Sequence, residues 1–550
     1  MGACERGLLA LALVLSLVLR LTGLSVFATT DEDRWYARSE AFLGALQRHD
    51  WASTYQTGHP GVITMWLGAA TECLPLLRRP LPGDGASPFV TPGAPAFGAG
   101  VPPLTLGGRR LVGLVTWLGI VALYPLLRRL FDSRTALVAT VLVALDPFFL
   151  AHSRLHHLDA ILTAFTTLSV VCLLIHVFRG RHWGYLVASG MAAGLAVGNK
   201  SPGVVLVPWA ALALFLPALL VEPAKRKAEL WRAAGLLALW TAAAAATLAA
   251  IWPAMWVNPL GTLQQVFGTA TYYAETPHEN LNYFWFAVRA DPGPGFYPVA
   301  WAFRATPWAL LGLAALAVGW RGVRRRWEVV LLAVAALAFA AAMTLGAKKF
   351  DRYLLPAFPL LDIVAAVGWL ALARRFLPRL AVPWRSWAPA LGTLFLLGSQ
   401  MAWLWPARPY YLCYYNPLLG GGRTAPQILL TGWGEGLDRV ADYLNRQPNA
   451  EQLVACAWPA PEFGYFFRGQ TIKDTHLGSL AELDYLVFYR SALQRGGVPP
   501  ASLFMGGRQP ELVLNLDGID YAGSTRTRCT TGRSRRSWPI LRLRATPPRA

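Results

Sequence analysis

Long apolar runs separated by short clusters of charge dominate the pattern along this chain. Crossing ~30 Å of hydrocarbon takes about 20 mostly apolar residues in a helix. By that measure the candidate spans are 7–28, 104–127, 135–151, 159–178, 183–198, 203–221, 233–252, 300–320, 328–346, 353–372 and 387–405. The pattern predicts an α-helical polytopic membrane protein of about eleven transmembrane helices. Residues 61–77 are also apolar but carry Glu72 and Pro75, and they read as an interfacial helix on the outer leaflet. Beyond 405 the pattern changes. Helical spacing over 434–447 and β-rich runs at 453–458, 485–490 and 511–516 predict a small C-terminal α/β domain.

Charge fixes the direction of these elements. Arg128, Arg129 and Arg134, then Arg179 and Arg181, then Lys225 to Arg232, Arg321 to Arg326, and Arg374 to Arg385 fall on alternate connections. Under the positive-inside rule those five loops are cytoplasmic, as is the N-terminus, while everything after 405 is extracytoplasmic. Arg20 within the first run favours an uncleaved anchor over a signal peptide. The expected organisation is a membrane module over 1–405, with long outer loops at 29–103 and 253–299. An extracytoplasmic domain over 406–523 and an Arg-rich, disordered tail over 524–550 follow. Residues 80–103, rich in Pro and Gly, read as a mobile part of the first loop. A net charge of +20 would suit a nucleic-acid binder, but 55% hydrophobic and only 15% charged residues, with a mean hydropathy of +0.38, exclude a soluble one. The six cysteines show no metal-like spacing, so no zinc site or other cofactor is expected.

Candidate chemistry collects where this topology should be poor in cations. Only six of the 50 basic residues are lysines, and Lys200, Lys348 and Lys349 lie with Arg154 and Arg352 at outer membrane edges. Each alone could anchor a helix end by reaching for headgroups. Together they suit a phosphate. Asp31 and Glu32 follow the first span, and Asp159 opens the fourth, after His152, His156 and His157. Asp31, Asp33 or Asp159 could instead cap the helix that follows. The histidine spacing matches no standard zinc pattern. His59, before Pro60 and Gly61, either enters the site or shapes a turn. Carboxylates beside phosphate-binding cations describe a site where a base activates an acceptor and the cations stabilise a departing phosphate.

Taken in order, Asp31-Glu32, Arg154…Asp159, TYQTGHPGVITMWLG (54–68), KKFDRYLLPAFP (348–359) and YYNPLLGGG…GWGEGLDRVADYLN (414–445) resemble the GT-C superfamily of membrane glycosyltransferases. The resemblance is to the branch of the protein O-mannosyltransferases and the lipid A aminoarabinose transferase, bacterial members included. It implies an inverting glycosyltransferase that takes a hexosyl or pentosyl group from a polyprenyl-monophosphate donor. The acceptor would be extracytoplasmic (protein Ser/Thr, glycan or lipid), and the enzyme would work at the bacterial inner membrane without a metal. On this resemblance Asp31 is the base, Glu32 supports it, Asp159 is the second acidic position, and Lys348, Lys349 and Arg352 contact the donor phosphate. Arg154 and Lys200 join them from the topology. The rival from another class is a transporter or flippase of lipid-linked sugars, which would place polar groups near the bilayer midplane.

Overall fold

The computed structural model describes residues 2–78, 103–379, 382–473, 483–496, 510–526 and 541–544. The stretch 80–102, expected to be mobile, lies outside the described residues. Each apolar run forms helix. In chain order these are α1 (Ala3–Leu21), α2 (Glu32–Gln47), α3 (Val62–Cys73), α4 (Pro103–Leu130), α5 (Ser133–Ala144), α6 (Pro147–His152), α7 (Asp159–Phe178) and α8 (Trp183–Asn199). They continue as α9 (Leu206–Leu219), α10 (Pro223–Ile251), α11 (Ala254–Val257), α12 (Pro259–Glu275), α13 (Phe296–Arg304), α14 (Pro307–Gly319), α15 (Arg326–Leu345), α16 (Ala357–Phe376) and α17 (Val382–Ala407).

Among the described residues six of these, α4, α7, α9 together with the 3-10 turn Ser201–Val205 that leads into it, α10, α15 and α16, are long and apolar enough to cross a membrane. The bent pair α13 and α14 would make a seventh. Two of the eleven expected spans are broken where the sequence signals a stop. Asp146 accepts a hydrogen bond from the Phe149 amide (2.6 Å) ahead of Pro147, so 135–151 divides into α5 and α6. Thr306 caps α14 ahead of Pro307, and the chain turns by 114° inside 300–320. A capping residue followed by Pro starts a new helix, because Pro fixes a helical φ and needs no amide partner.

The bundle has two unlike ends. At one, Arg179 meets Glu328 at 2.5 Å and the Leu130 carbonyl at 3.1 Å, and Arg374 meets Asp132 at 2.8 Å. Loops that sequence placed on one side of the membrane therefore touch one another. At the other end the connections around 29–31, 153–158, 199–201 and 346–354 converge.

That second end carries the sheet. After a hairpin of β1 (Asn282–Phe284) and β2 (Ala287–Arg289), the C-terminal strands β3 (Val454–Ala457), β4 (Gln470–Ile472), β5 (Tyr485–Tyr489), β6 (Leu512–Leu516), β7 (Ile519–Arg526) and β8 (Leu541–Arg544) form one sheet. Its order is β4-β3-β5-β7-β6-β8, with β3 parallel to β4 and β5, β7 antiparallel to β5 and β6, and β8 parallel to β6. The expected disordered tail is thus partly in the sheet, since 524–526 end β7 and 541–544 form β8. Pairing to β6 supplies the backbone partners that an isolated Arg-rich strand would lack. The rest of the tail lies outside the described residues. Short helices α18 (Ala425–Ile428), α19 (Leu437–Asn445), α20 (Ala460–Gly464) and α21 (Arg490–Gln494) complete the region. Helix and sheet share a continuous buried cluster that includes Leu142, Ile161, Leu360, Leu437, Tyr485 and Leu514.

Candidate active site

A cavity of about 1170 Å³ lies between the converging loops and the sheet. Asp31, Lys348 and Arg352 line it, together with Arg34, Trp433, Glu462 and Arg495. Asp31 stands at the N-cap of α2, yet its side chain makes no capping hydrogen bond. It receives Arg352 Nη2 at 3.1 Å and faces His157 Nε2 at 3.6 Å, while remaining 24% exposed. Burial disfavours its charge, but Arg352, His157 and Arg34 outweigh this and hold its pKa below the ordinary carboxylate value. It is ionised and reachable.

Asp159 stands one layer deeper. Lys200 Nζ lies 2.5 Å from Oδ1, while His157 Nδ1 and Arg352 Nε lie 3.2 and 3.5 Å from Oδ2. His157 and Arg352 therefore bridge the two aspartates. His157, whose spacing from its neighbours suits no standard zinc site, stands between two carboxylates instead.

Four expected site residues do other work. Glu32 is fully buried away from the cavity and holds Arg109 through two bonds (2.7 and 2.5 Å), while also accepting from the His156 amide at 2.9 Å. It fixes the loop that carries Asp31. Arg154 donates to the carbonyls of Leu19, Thr22 and Gly23, satisfying groups left open at the end of α1. It is not free for phosphate. Lys200 is consumed by Asp159 and lies over Tyr353 (4.6 Å). Lys349 is buried, its ammonium bound to Asp291 (2.6 Å) and the Gly346 carbonyl (2.5 Å), and it ties the segment after β2 to the 346–352 loop. Unpaired charge in a dry environment is too costly to keep, so buried cations take the nearest oxygen. Burial decides which expected cations remain available.

Lys348 stays available. It lies 4.8 Å over the Tyr273 ring, with its pKa lowered by burial and by the nearby Arg352. His59 stacks on the same Tyr273 ring at 5.1 Å between centroids. Burial, reinforced by Lys200, pushes its pKa down to about 3, so it is neutral. His59 supports the wall rather than lining the cavity.

Trp433 was missed as a site residue, although its motif was visible. Its indole donates to Thr30 Oγ1 (3.0 Å), and its ring lies 4.4 Å from the Arg352 guanidinium and 5.3 Å from the His157 ring. Glycines on either side place it. Gly434 has φ +118°, and a Cβ there would stand 2.0 Å from the Ala28 carbonyl oxygen. Gly434→Ala is therefore expected to strain the backbone and displace Trp433. Activity should fall at least tenfold with expression retained, and a fully active variant would contradict this placement.

Residues 82–259, about a third of the chain, match the family model for dolichyl-phosphate-mannose-protein mannosyltransferase. No curated protein sequence matches the chain significantly. Among solved structures, similarity extends to ArnT from Cupriavidus metallidurans bound to undecaprenyl phosphate. That match has 14% identity and a TM-score of 0.49, over 96% of this chain and 99% of that one. The Archaeoglobus fulgidus oligosaccharyltransferase AglB, in complex with an inhibitory peptide and a dolichol-phosphate, is 15% identical (TM-score 0.44; 90% of this chain, 71% of that one). The S. cerevisiae Pmt1–Pmt2 complex bound to the sugar donor is 18% identical (TM-score 0.36; 54% and 37%). The family match covers only that third of the chain, and with six helices among the described residues long and apolar enough to cross a membrane the chain is an integral multi-pass membrane protein.

Proposed function

We propose that this enzyme transfers a sugar from a polyprenyl-monophosphate donor to an acceptor on the non-cytoplasmic face, with inversion at the anomeric carbon. The observation that carries the reading is the shared use of Arg352. It binds the ionised, accessible Asp31 while standing beside Lys348 on the wall of one cavity. Asp31 takes the proton of the acceptor hydroxyl as the acceptor oxygen bonds to the anomeric carbon. The bond from that carbon to the phosphate oxygen breaks, and its electron pair leaves with the polyprenyl phosphate. Lys348 and Arg352 stabilise the charge that develops there.

A bound phosphate also competes for Arg352. Dividing that guanidinium between two anions weakens its hold on Asp31 and raises the basicity of the carboxylate when donor is present. Asp159, fixed by Lys200, orients Arg352 and His157, and Glu32 with Arg109 fixes the loop. Neither of these two carboxylates acts on the acceptor.

This reading keeps the expected orientation, with a cytoplasmic N-terminus, an extracytoplasmic domain over 406–523 and a bacterial inner-membrane location. The meeting of the basic loops at the end remote from the cavity supports it. So does the collection of accessible polar groups at one end of the bundle, where a flippase would need them near mid-membrane. The test is a panel of labelled donors given to membranes that contain the protein. Label should pass to acceptor, with release of free polyprenyl phosphate, from polyprenyl-monophosphate sugars and not from nucleotide sugars. Transfer from nucleotide sugars, or movement of intact lipid-linked sugar without cleavage, would overturn the proposal.

A further inference from the structure

The cations of the cavity can be sorted by what already occupies them. Arg304 is paired with Asp351 at 2.8 Å, Lys349 with Asp291, and Arg352 with Asp31. Among the described residues Arg34, Lys348, Lys473 and Arg495 line the cavity with no such ion pair, and of these four Arg495 alone has nitrogens, Nε and Nη2, buried without a hydrogen-bond partner. Arg495 lies just after α21, in the C-terminal sheet region, far in sequence from the other groups. The structure brings it to the same place. The guanidinium groups of Arg352 and Arg495 lie 4.4 and 5.8 Å from the centroid of one ring, Phe350, and both arginines line the cavity with Lys348. His278 packs edge-on to that ring at 5.1 Å.

Its position is built, not incidental. Gln494, the residue before it, receives the Thr431 amide (2.8 Å) and donates to the carbonyls of Pro426 (2.7 Å) and Leu429 (2.9 Å). Three bonds pin the end of α21 to the segment leading into Trp433. Arg495 is thus held toward other cations, with no carboxylate of the described residues within ion-pairing distance. Like charges gathered in a partly dry cavity cost free energy unless an anion joins them.

We propose that Arg495 completes, with Lys348 and Arg352, the binding site for the phosphate of the lipid-linked donor. This rests on the donor class proposed above and adds a residue from a region that the membrane-module residues alone would not implicate. The sheet region then closes one side of the donor site. A guanidinium offers paired N–H donors to phosphate oxygens, which a lysine can replace only in charge.

The test measures binding of undecaprenyl monophosphate to the purified full-length protein in nanodiscs, with undecaprenol as the uncharged control. Arg495→Gln should weaken monophosphate binding about tenfold or more, the loss expected of a charge-assisted contact. Undecaprenol binding and thermal midpoint should be unchanged, because among the described residues Arg495 has no ion pair to lose. Arg495→Lys should recover part of the loss. Wild-type affinity for the monophosphate in Arg495→Gln would overturn this inference alone. Should the wild type bind monophosphate no better than undecaprenol, the donor assignment fails and this inference with it.

Discussion

Asp31→Asn is expected to lower sugar transfer by about 10²- to 10⁴-fold, the range that a positioned general base contributes. The amide keeps the size of the side chain and loses the ability to take a proton. Donor binding should survive. Removing the carboxylate frees Arg352 from its 3.1 Å partner, so affinity for a polyprenyl monophosphate should be equal or tighter. That split separates a catalytic loss from misfolding. A matching pH dependence follows from the sign of the shift. The Asp31 pKa is depressed in the folded protein, so the base stays charged from neutrality downward and is lost only as pH falls through that depressed value. At limiting donor, where the free enzyme sets the rate, the acid limb should therefore lie below the ordinary carboxylate value. A limb centred near pH 7 would point elsewhere. Glu462, on the same cavity wall, is pushed up to about 7 by burial and by the neighbouring Asp33 and Asp31 charges, and it would be the group to examine.

The largest loss of stability is expected at Arg109. Its guanidinium holds both oxygens of Glu32 and donates to the carbonyls of Leu24 and Phe27, all out of reach of water. Arg109→Met would leave the Glu32 charge buried with only the Thr29 and His156 donors. Removing one partner of a buried pair costs about 3–5 kcal/mol. The consequence reaches function, because Glu32 is the neighbour of Asp31. Adding Glu32→Gln should return part of the lost thermal stability, since a neutral amide is cheaper to bury than an uncompensated carboxylate. Thermal unfolding of the two variants in detergent checks both steps. A loss under about 0.5 kcal/mol for the single change, as at ordinary surface sites, would contradict the placement.

Periodicity made the spans legible because it records which residues avoid water, and charge made their direction legible because it is a property of loops. What sequence could not supply was the pairing. Lys349, Arg352 and Lys200 look alike as cations at outer edges, yet one binds Asp291, one shares Asp31 and Asp159, and one is spent on Asp159 alone. Glu32 next to Asp31 looks like a catalytic pair, but successive residues at a helix start face different ways. One points to Arg109 and the other to the cavity. Trp433 was within reach, because a tryptophan between glycines signals a backbone bent to place a ring. Arg495 was not, since nothing local distinguishes it from dozens of other arginines in this chain.

The central claim is that one cavity holds the phosphate of a lipid-linked donor beside an ionised Asp31. A structure of the full-length protein with bound undecaprenyl monophosphate tests it most directly. The phosphate should lie among Lys348, Arg352 and Arg495, with open cavity between it and Asp31 for the sugar and acceptor. Density for the phosphate beside Arg154 or Lys200, or midway along the bundle, would contradict it.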